Sequence, residues 1–366
     1  MSFSTEDHGF MAEALRLAEQ GLYTTDPNPR VGCVLVQEGV VVGRGFHHKA
    51  GEAHAEILAL RQAGARAHGA SAYVTLEPCV HFGRTGPCVD ALLNAQVARV
   101  IAAMPDPNPK AGRGLEKLRT AGIETAVGLM EAEAQALNPG FVSRMSRGRP
   151  WIRSKLAVSL DGRTALASGA SKWISGAAAR EDAQRWRARS SAILTGIGTL
   201  LADDPALSVR LPGEWRQPKR IVLDTQLRTP PNARLLQQPG ESLIATAITD
   251  SECHAPLTAA GAKILVLPMV EGHIDLAALV QQLAKLECNE VLVEAGAVLN
   301  GALLHAGLLD ELIIYMAPQL LGDTARGMFD LRELQSLEER VELQFNDVRT
   351  LGVDVRFLAV PAARDN

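Results

Sequence analysis

The chain has 366 residues, of which 47% are hydrophobic and 21% charged, with a formal net charge of −4. That length points to two domains of ordinary globular composition. The mildly acidic balance excludes a general nucleic-acid binder, which needs a basic excess. No apolar run is long enough to cross a bilayer, so no membrane association is expected. The polar, acidic start from Met1 to His8 is not that of a signal peptide. Five scattered cysteines (33, 79, 88, 253 and 288) suit reduced thiols better than a disulfide framework, and a cytoplasmic location is expected.

Phe10, Met11, Ala14, Leu15, Leu17 and Ala18 recur at helical spacing and predict an amphipathic helix over residues 6–20. Asp26-Pro-Asn-Pro29 then forces a loop, because each proline fixes φ and restricts the residue before it. Strands over 31–36 and 40–46 are joined by a tight turn at Glu38-Gly39. A helix over 54–66, a strand over 71–76, a short helix from Cys88 and a strand over 98–104 follow. Further helix and strand signals reach Leu137. Helices covering a mixed sheet in an α/β sandwich are the expected result.

Between Asn138 and Lys155, Arg144, Arg147, Arg149, Arg153 and Lys155 cluster around Gly148 and Pro150. A boundary is expected there, giving domains over 1–147 and 148–366, with a solvated linker as the plain reading of the arginines before Pro150. Beyond Trp151, apolar strands over 152–158, 192–195, 220–224, 242–246, 263–266 and 290–294 alternate with helical stretches. The last three strands, over 311–316, 341–347 and 353–360, have little helix between them. This pattern predicts a mostly parallel sheet with antiparallel strands at its end.

The chemistry of the first half lies in His54-Ala-Glu56, Glu77-Pro78-Cys79 and Pro87-Cys88. One imidazole and two thiolates, His54, Cys79 and Cys88, can hold zinc and leave a fourth position for water. Glu56, two residues after the histidine, can sit beside that water without binding the metal and act as the general acid–base. This is the layout of zinc-dependent nucleobase deaminases, although eight residues separate Cys79 from Cys88 where many such sites have C-x-x-C. A structural zinc would need a fourth protein ligand, which His81 could offer.

In the second half no G-x-G-x-x-G follows the first strand, so a Rossmann site is not expected. Gly196-Ile-Gly198-Thr199 and Glu294-Ala-Gly-Ala-Val-Leu-Asn-Gly301 place glycine at strand-to-helix junctions. There backbone amides can receive phosphate, or simply make a tight turn. Arg180, Arg185, Arg187 and Arg189 could be the solvated face of a helix, and Trp173 could be core. The histidines other than His54 and His81 read as surface or packing residues.

Three segments of the first half, Pro27-Asn-Pro-Arg-Val-Gly-Cys-Val34, Gly51-Glu-Ala-His-Ala-Glu56 and the run from Tyr73 to Cys88, resemble the bifunctional riboflavin-biosynthesis deaminase–reductases. So do Lys155-Leu-Ala-Val-Ser-Leu-Asp-Gly-Arg163, Ser171-Lys-Trp-Ile174, Gly198-Thr-Leu-Leu-Ala-Asp-Asp-Pro205 and Val293-Glu-Ala-Gly296 in the second. The long Cys79–Cys88 spacing is the one that family uses. Val80 stands where a serine is usual and Gly86 where a proline is usual. The resemblance implies a cytidine-deaminase-like αβα sandwich followed by a dihydrofolate-reductase-like α/β domain. It further implies Zn²⁺ and NADPH as cofactors, a phosphorylated pyrimidine substrate and a homodimer. By matching motif, Ala157, Trp173, Thr199, Asp203, Thr225 and Gly296, Ala297, Val298, Leu299, Asn300, Gly301 and Ala302 would contact NADPH. Ser171, Arg187, Leu207, Arg210 and Glu294 would line the substrate site, with Lys155 adding charge. The competing reading is a deaminase of another nucleoside or a tRNA base, with a nucleotide-binding second domain.

Overall fold

The computed structural model describes residues 3–81 and 86–362, and the chain folds as two units, Met1–Arg149 and Pro150–Asn366. In the first, α1 (Thr5–Glu19) begins at a capping box: the Ser4 hydroxyl accepts from the Asp7 amide and the Asp7 carboxylate accepts from the Ser4 amide. Then come β1 (Gly32–Gln37), β2 (Val40–Phe46), α2 (Ala55–Ala63), β3 (Ser71–Val74), α3 (Cys88–Asn94) and β4 (Arg99–Ala102). The unit continues through α4 (Gly114–Thr120), β5 (Glu124–Val127), α5 (Glu131–Leu137) and α6 (Pro139–Arg147). Both residues of the β1–β2 turn, Glu38 and Gly39, take the left-handed conformation that a two-residue hairpin turn demands.

The sheet order is β2-β1-β3-β4-β5, with β1 antiparallel to both neighbours and β3, β4 and β5 parallel. Successive residues of β1 face opposite sides. Cys33 and Leu35 join Ala55, Ala59, Val89, Leu92 and Leu118 of α2, α3 and α4. Val34 and Val36 join Met11, Leu15, Ala134 and Phe141 of α1, α5 and α6. Both faces are therefore covered, and the expected sandwich is what forms.

The segment expected as a solvated linker is instead the helix α6. Pro139 starts it, where a missing N–H costs nothing, and Gly148 ends it in the left-handed conformation. Phe141 and Ser143 are buried. The Asn138 side chain accepts from the Arg30 amide (2.8 Å) and donates to the Arg30 carbonyl (2.9 Å), while Arg144 reaches the Pro27 carbonyl. Its apolar residues are few and lie between Pro139 and Gly148, so the stretch reads as polar; Phe141 is buried, Val142 and Met145 pack on the same cluster, and polar closure onto a distant loop holds the helix.

The second unit opens with β6 (Trp151–Ser159), β7 (Arg163–Ala165), α7 (Ala177–Arg189), β8 (Ala192–Gly196), α8 (Ile197–Asp203) and β9 (Lys219–Leu223). It continues through β10 (Ser242–Thr246), α9 (Ser251–Ala259), β11 (Ala262–Val266), β12 (Met269–Val270), β13 (His273–Ile274), α10 (Leu276–Lys285) and β14 (Glu290–Val293). It closes with α11 (Ala297–His305), β15 (Glu311–Ala317), β16 (Arg326–Gly327), β17 (Leu343–Leu351) and β18 (Asp354–Pro361). The main sheet runs β11-β10-β9-β8-β14-β6-β15-β18-β17. It is parallel from β11 to β15, and β18 and β17 add antiparallel at one edge.

Because β14 and β15 flank β6, Glu290 and Glu311 meet Arg153, which is buried between them. Its guanidinium also lies 5.2 Å from the centroid of the Trp186 ring.

Candidate active sites

Gly43 and Gly45 on β2 let the strand lie against the backbone of α2, where a Cβ would overlap the carbonyl oxygens of Ala59 and Ala55. This close approach fixes the start of α2. His54 is its N-cap but makes no capping bond with its ring, which is free to turn toward the thiols. Cys88 opens α3, and its amide donates to the Cys79 sulfur (3.5 Å). His54 Nδ1 lies 3.1 Å from Cys88 Sγ and 3.6 Å from Cys79 Sγ, and the three donor atoms fall within 4.8 Å of one another.

Bonds of about 2.0–2.3 Å to a tetrahedral zinc would put donors at about this separation, so the residues present fit the ion. Among the described residues His81 is not part of the cluster, which gathers three candidate ligands where a closed structural site would need four. Val80 donates its amide to the Ala111 carbonyl, and Gly86 has open space where a side chain would go. Phe82, Gly83, Arg84 and Thr85, part of the matched motif, lie outside the described residues.

A hydrogen bond from Cys88 holds the Cys79 thiol down to about 4, against burial and with help from His54. Cys88 itself moves up, because Cys79 and burial hold its proton. His54 is raised by its bond to Cys79. Glu56, 3% exposed, is raised by burial, with His54 opposing and Cys79 adding, so it can keep a proton at higher pH than a solvated carboxyl. His47 packs edge-on against the His54 ring with centroids 5.3 Å apart; one of its nitrogens meets Asn28 (3.0 Å), the other the Ala53 carbonyl (3.1 Å).

Sequence reasoning does not single out Asp106. It is half-buried and lifted to about 7 by burial, with the charges of Glu77, Cys79 and Glu56 adding. One signal was available: Asp-Pro-Asn-Pro occurs twice, at 26–29 and 106–109.

In the second unit, Glu294 at the end of β14 takes a forked pair from Arg187 (2.6 and 2.9 Å), and the third Arg187 nitrogen donates to the Ser208 carbonyl (2.9 Å). Lys155 lies 3.8 Å from the same carboxylate. Burial would raise Glu294, but Arg187, Lys155 and Arg210 together hold it near 2. Arg187 is thus buried rather than part of a solvated helix face, and its forked edge is already occupied. Leu207 is buried in a left-handed conformation, and Arg210 lies at the surface with its amide on Gln184.

Trp173 is 69% exposed, beneath the Arg180 guanidinium rather than in the core, and Ser171 is half-buried beside it in sequence. Ala157 lies on β6; Thr199 and Asp203 lie on α8, with Asp203 near Lys172 (3.7 Å). The Thr225 carbonyl accepts from Thr246. Gly296 caps α11, and Val298 and Ala302 are exposed. Leu299, Asn300 and Gly301 turn inward, Asn300 bonding Ser154 and the Ala295 carbonyl and Gly301 packing on Asp330.

A three-donor zinc pocket with a buried carboxylate, on an αβα sandwich, joined to a mostly parallel α/β unit of the dihydrofolate-reductase-like kind, defines a zinc deaminase fused to a reductase. Residues 4–104 match the cytidine and deoxycytidylate deaminase zinc-binding region, and residues 150–357 match the RibD C-terminal domain. The riboflavin biosynthesis protein RibD of Escherichia coli K12 is 52% identical, over 96% of this chain and 98% of the relative. The structure of Acinetobacter baumannii RibD (form 1) superposes with a TM-score of 0.91 at 46% identity, over 98% of this chain and 99% of that one. A diaminohydroxyphosphoribosylaminopyrimidine deaminase/5-amino-6-(5-phosphoribosylamino)uracil reductase from Thermotoga maritima gives 0.87 at 29% identity, again over 98% and 99%.

The chain belongs to the RibD family. It is a bifunctional enzyme of riboflavin biosynthesis, with zinc serving the deaminase half and NADPH the reductase half. A deaminase of some other base with a merely nucleotide-binding partner domain is not favoured, since the relatives match both halves end to end.

Proposed function

We propose that the first unit hydrolyses the ring amine of 2,5-diamino-6-ribosylamino-4(3H)-pyrimidinone 5′-phosphate and releases ammonia. The second then reduces the ribosyl group to ribityl, giving 5-amino-6-(5-phosphoribitylamino)uracil. The observation that carries this reading is the meeting of His54, Cys79 and Cys88 beside buried Glu56, in a chain whose second unit gathers Arg187, Glu294, Lys155 and Arg210.

His54, Cys79 and Cys88 would hold the zinc, which when bound supplies a Lewis acid that makes water acidic enough to attack at neutral pH. Glu56 takes the proton from the attacking water, passes it to the ring nitrogen and assists departure of the amine, so that water and amine become carbonyl and ammonia. Burial suits Glu56 to holding that proton between the two transfers.

NADPH, when bound in the second unit, would supply a hydride to the anomeric ribosyl carbon as its bond to the ring oxygen opens, and a proton from solvent would complete the freed hydroxyl. Ala157, Trp173, Thr199, Asp203, Thr225 and the start of α11 from Gly296 to Ala302 form its proposed binding surface; Leu299, Asn300 and Gly301 would contribute through backbone and packing. Ser171, Leu207, Arg187, Arg210 and Glu294 form the proposed substrate pocket. With Arg187 closed on Glu294, the cations proposed to meet the phosphate are Arg210, at the surface, and Lys155, more loosely paired with the same carboxylate at 3.8 Å. The wide scatter of the five cysteines along the chain accords with a cytoplasmic location. Exposed Phe345 and Val348 on the edge strand β17 support a homodimer, which light scattering of the purified protein tests.

The decisive assay incubates the zinc-loaded protein with the diaminopyrimidinone phosphate and follows ammonia and NADPH separately. Ammonia release without NADPH, and NADPH consumption only after ammonia release, is the expected result. NADPH oxidation with no ammonia would refute the proposed order.

A further inference from the structure

Glu77 belongs to the zinc motif, yet the reaction above gives it nothing to do. Its carboxylate is buried and both oxygens are used: one accepts from the Asp106 amide (3.1 Å), the other from the Leu115 amide (3.0 Å). The Glu77 amide donates to the Met104 carbonyl (3.0 Å) and the Val80 amide to the Ala111 carbonyl (3.2 Å). Gly114 packs so tightly on the Pro78 carbonyl that a Cβ there would overlap it. The segment 105–114, between β4 and α4, is thereby clasped onto Glu77, Pro78 and Val80.

That segment reaches the zinc pocket. Ala111 packs with Cys79 and Cys88, with Ile57 alongside, and Asp106 feels the charges of Cys79 and Glu56. A buried carboxylate is costly unless its hydrogen bonds are met. Here they are met by the amides of Asp106, near the start of the segment, and of Leu115, just past its end, so the carboxylate sets where that segment lies. Three of the reacting groups stand elsewhere: His54 and Glu56 at the start of α2, Cys88 on α3. The fourth, Cys79, lies between the clasped Pro78 and Val80, so zinc content is the readout that separates a moved wall from a moved ligand.

We propose that Glu77 is a positioning residue of the deaminase, fixing segment 105–114 as a wall of the zinc pocket and so setting substrate affinity rather than the chemical step. The inference rests on the zinc-site reading above. Glu77→Gln keeps the size and one acceptor oxygen but turns an NH₂ toward a backbone N–H. In the full-length, zinc-loaded protein we expect the deaminase KM to rise at least about tenfold with kcat within about threefold. Zinc content by metal analysis and the rate of the reductase half are expected to stay at the wild-type level. A lower kcat at unchanged KM, the mark of a smaller active fraction, overturns the proposal; so do unchanged kinetics, or a loss of deamination that tracks loss of zinc. Should E77Q fail to fold, Gly114→Ala pushes the same segment off Pro78 without touching Glu77, and there too an unchanged KM overturns it. Wild-type protein that binds zinc but releases no ammonia would instead sink the zinc-site reading.

Discussion

Glu56 is the side chain on which the two activities of this chain should separate. Glu56→Gln keeps the shape but cannot carry the proton, so ammonia release is expected to fall by about 10²–10⁴-fold, while reduction of the deaminated intermediate continues at the wild-type rate. Loss of both rates together would argue against independent sites. Asp7 makes a different, pH-dependent contribution. Burial pushes its carboxyl up, but the Ser4 amide, the Tyr73 and Ser4 hydroxyls and Arg99 outweigh that and hold it at about 2. A folded pKa below the unfolded value gives stability that is present above about pH 4 and lost as the pH falls toward 2. Chemical denaturation of the wild type and of Asp7→Asn is therefore expected to differ by on the order of 1–2 kcal/mol at pH 6 and to converge near pH 2. An equal difference at both pH values would refute this role. The sequence pattern singles out Glu56 through its motif and does not single out Asp7. The reach of Asp7 to Tyr73 and Arg99 spans 66 and 92 positions and leaves no local pattern.

The packing of β2 on α2 shows how an element places chemistry. Gly45 stands where any side chain would strike the Ala55 carbonyl, next to the helix start that carries His54 and Glu56. Gly45→Ala is expected to cost about 1–3 kcal/mol by overpacking, lowering the unfolding midpoint of the first unit by several degrees and weakening deamination, with reduction intact. A calorimetric scan resolves the two units, and an unchanged first transition would refute the close-packing argument. Periodicity reads β1, β2, α1 and the strands of the second unit's main sheet to within a few residues, because each is a regular apolar pattern bounded by turns, but it gives no sign of the short strands β7, β12, β13 and β16. It misses α6, whose polar sequence is held by Asn138 on Arg30 and by Phe141. It places Arg153 on the strand over 152–158 but carries no sign of its partners, Glu290 and Glu311, which the two strands flanking β6 bring to it.

At the scale of the whole molecule, the two cofactors provide a test that needs no mutation. Chelation of zinc is expected to abolish ammonia release and leave NADPH-dependent reduction of the deaminated intermediate unchanged, with zinc restoring the first activity. Loss of reduction on chelation would show that the halves depend on one another. By itself the sequence determined that there are two α/β halves, a zinc-type set of His54, Cys79 and Cys88 with Glu56 beside it, and a family whose motifs run through both. Those features are written in residue type and spacing over stretches of a few tens of residues. Only the tertiary structure decided that Glu77 clasps the segment carrying Asp106, that Arg187 closes on Glu294 107 positions away, and that Trp173 lies open under Arg180. These depend on which strands become neighbours and which loops meet at their ends, and no local periodicity encodes that choice.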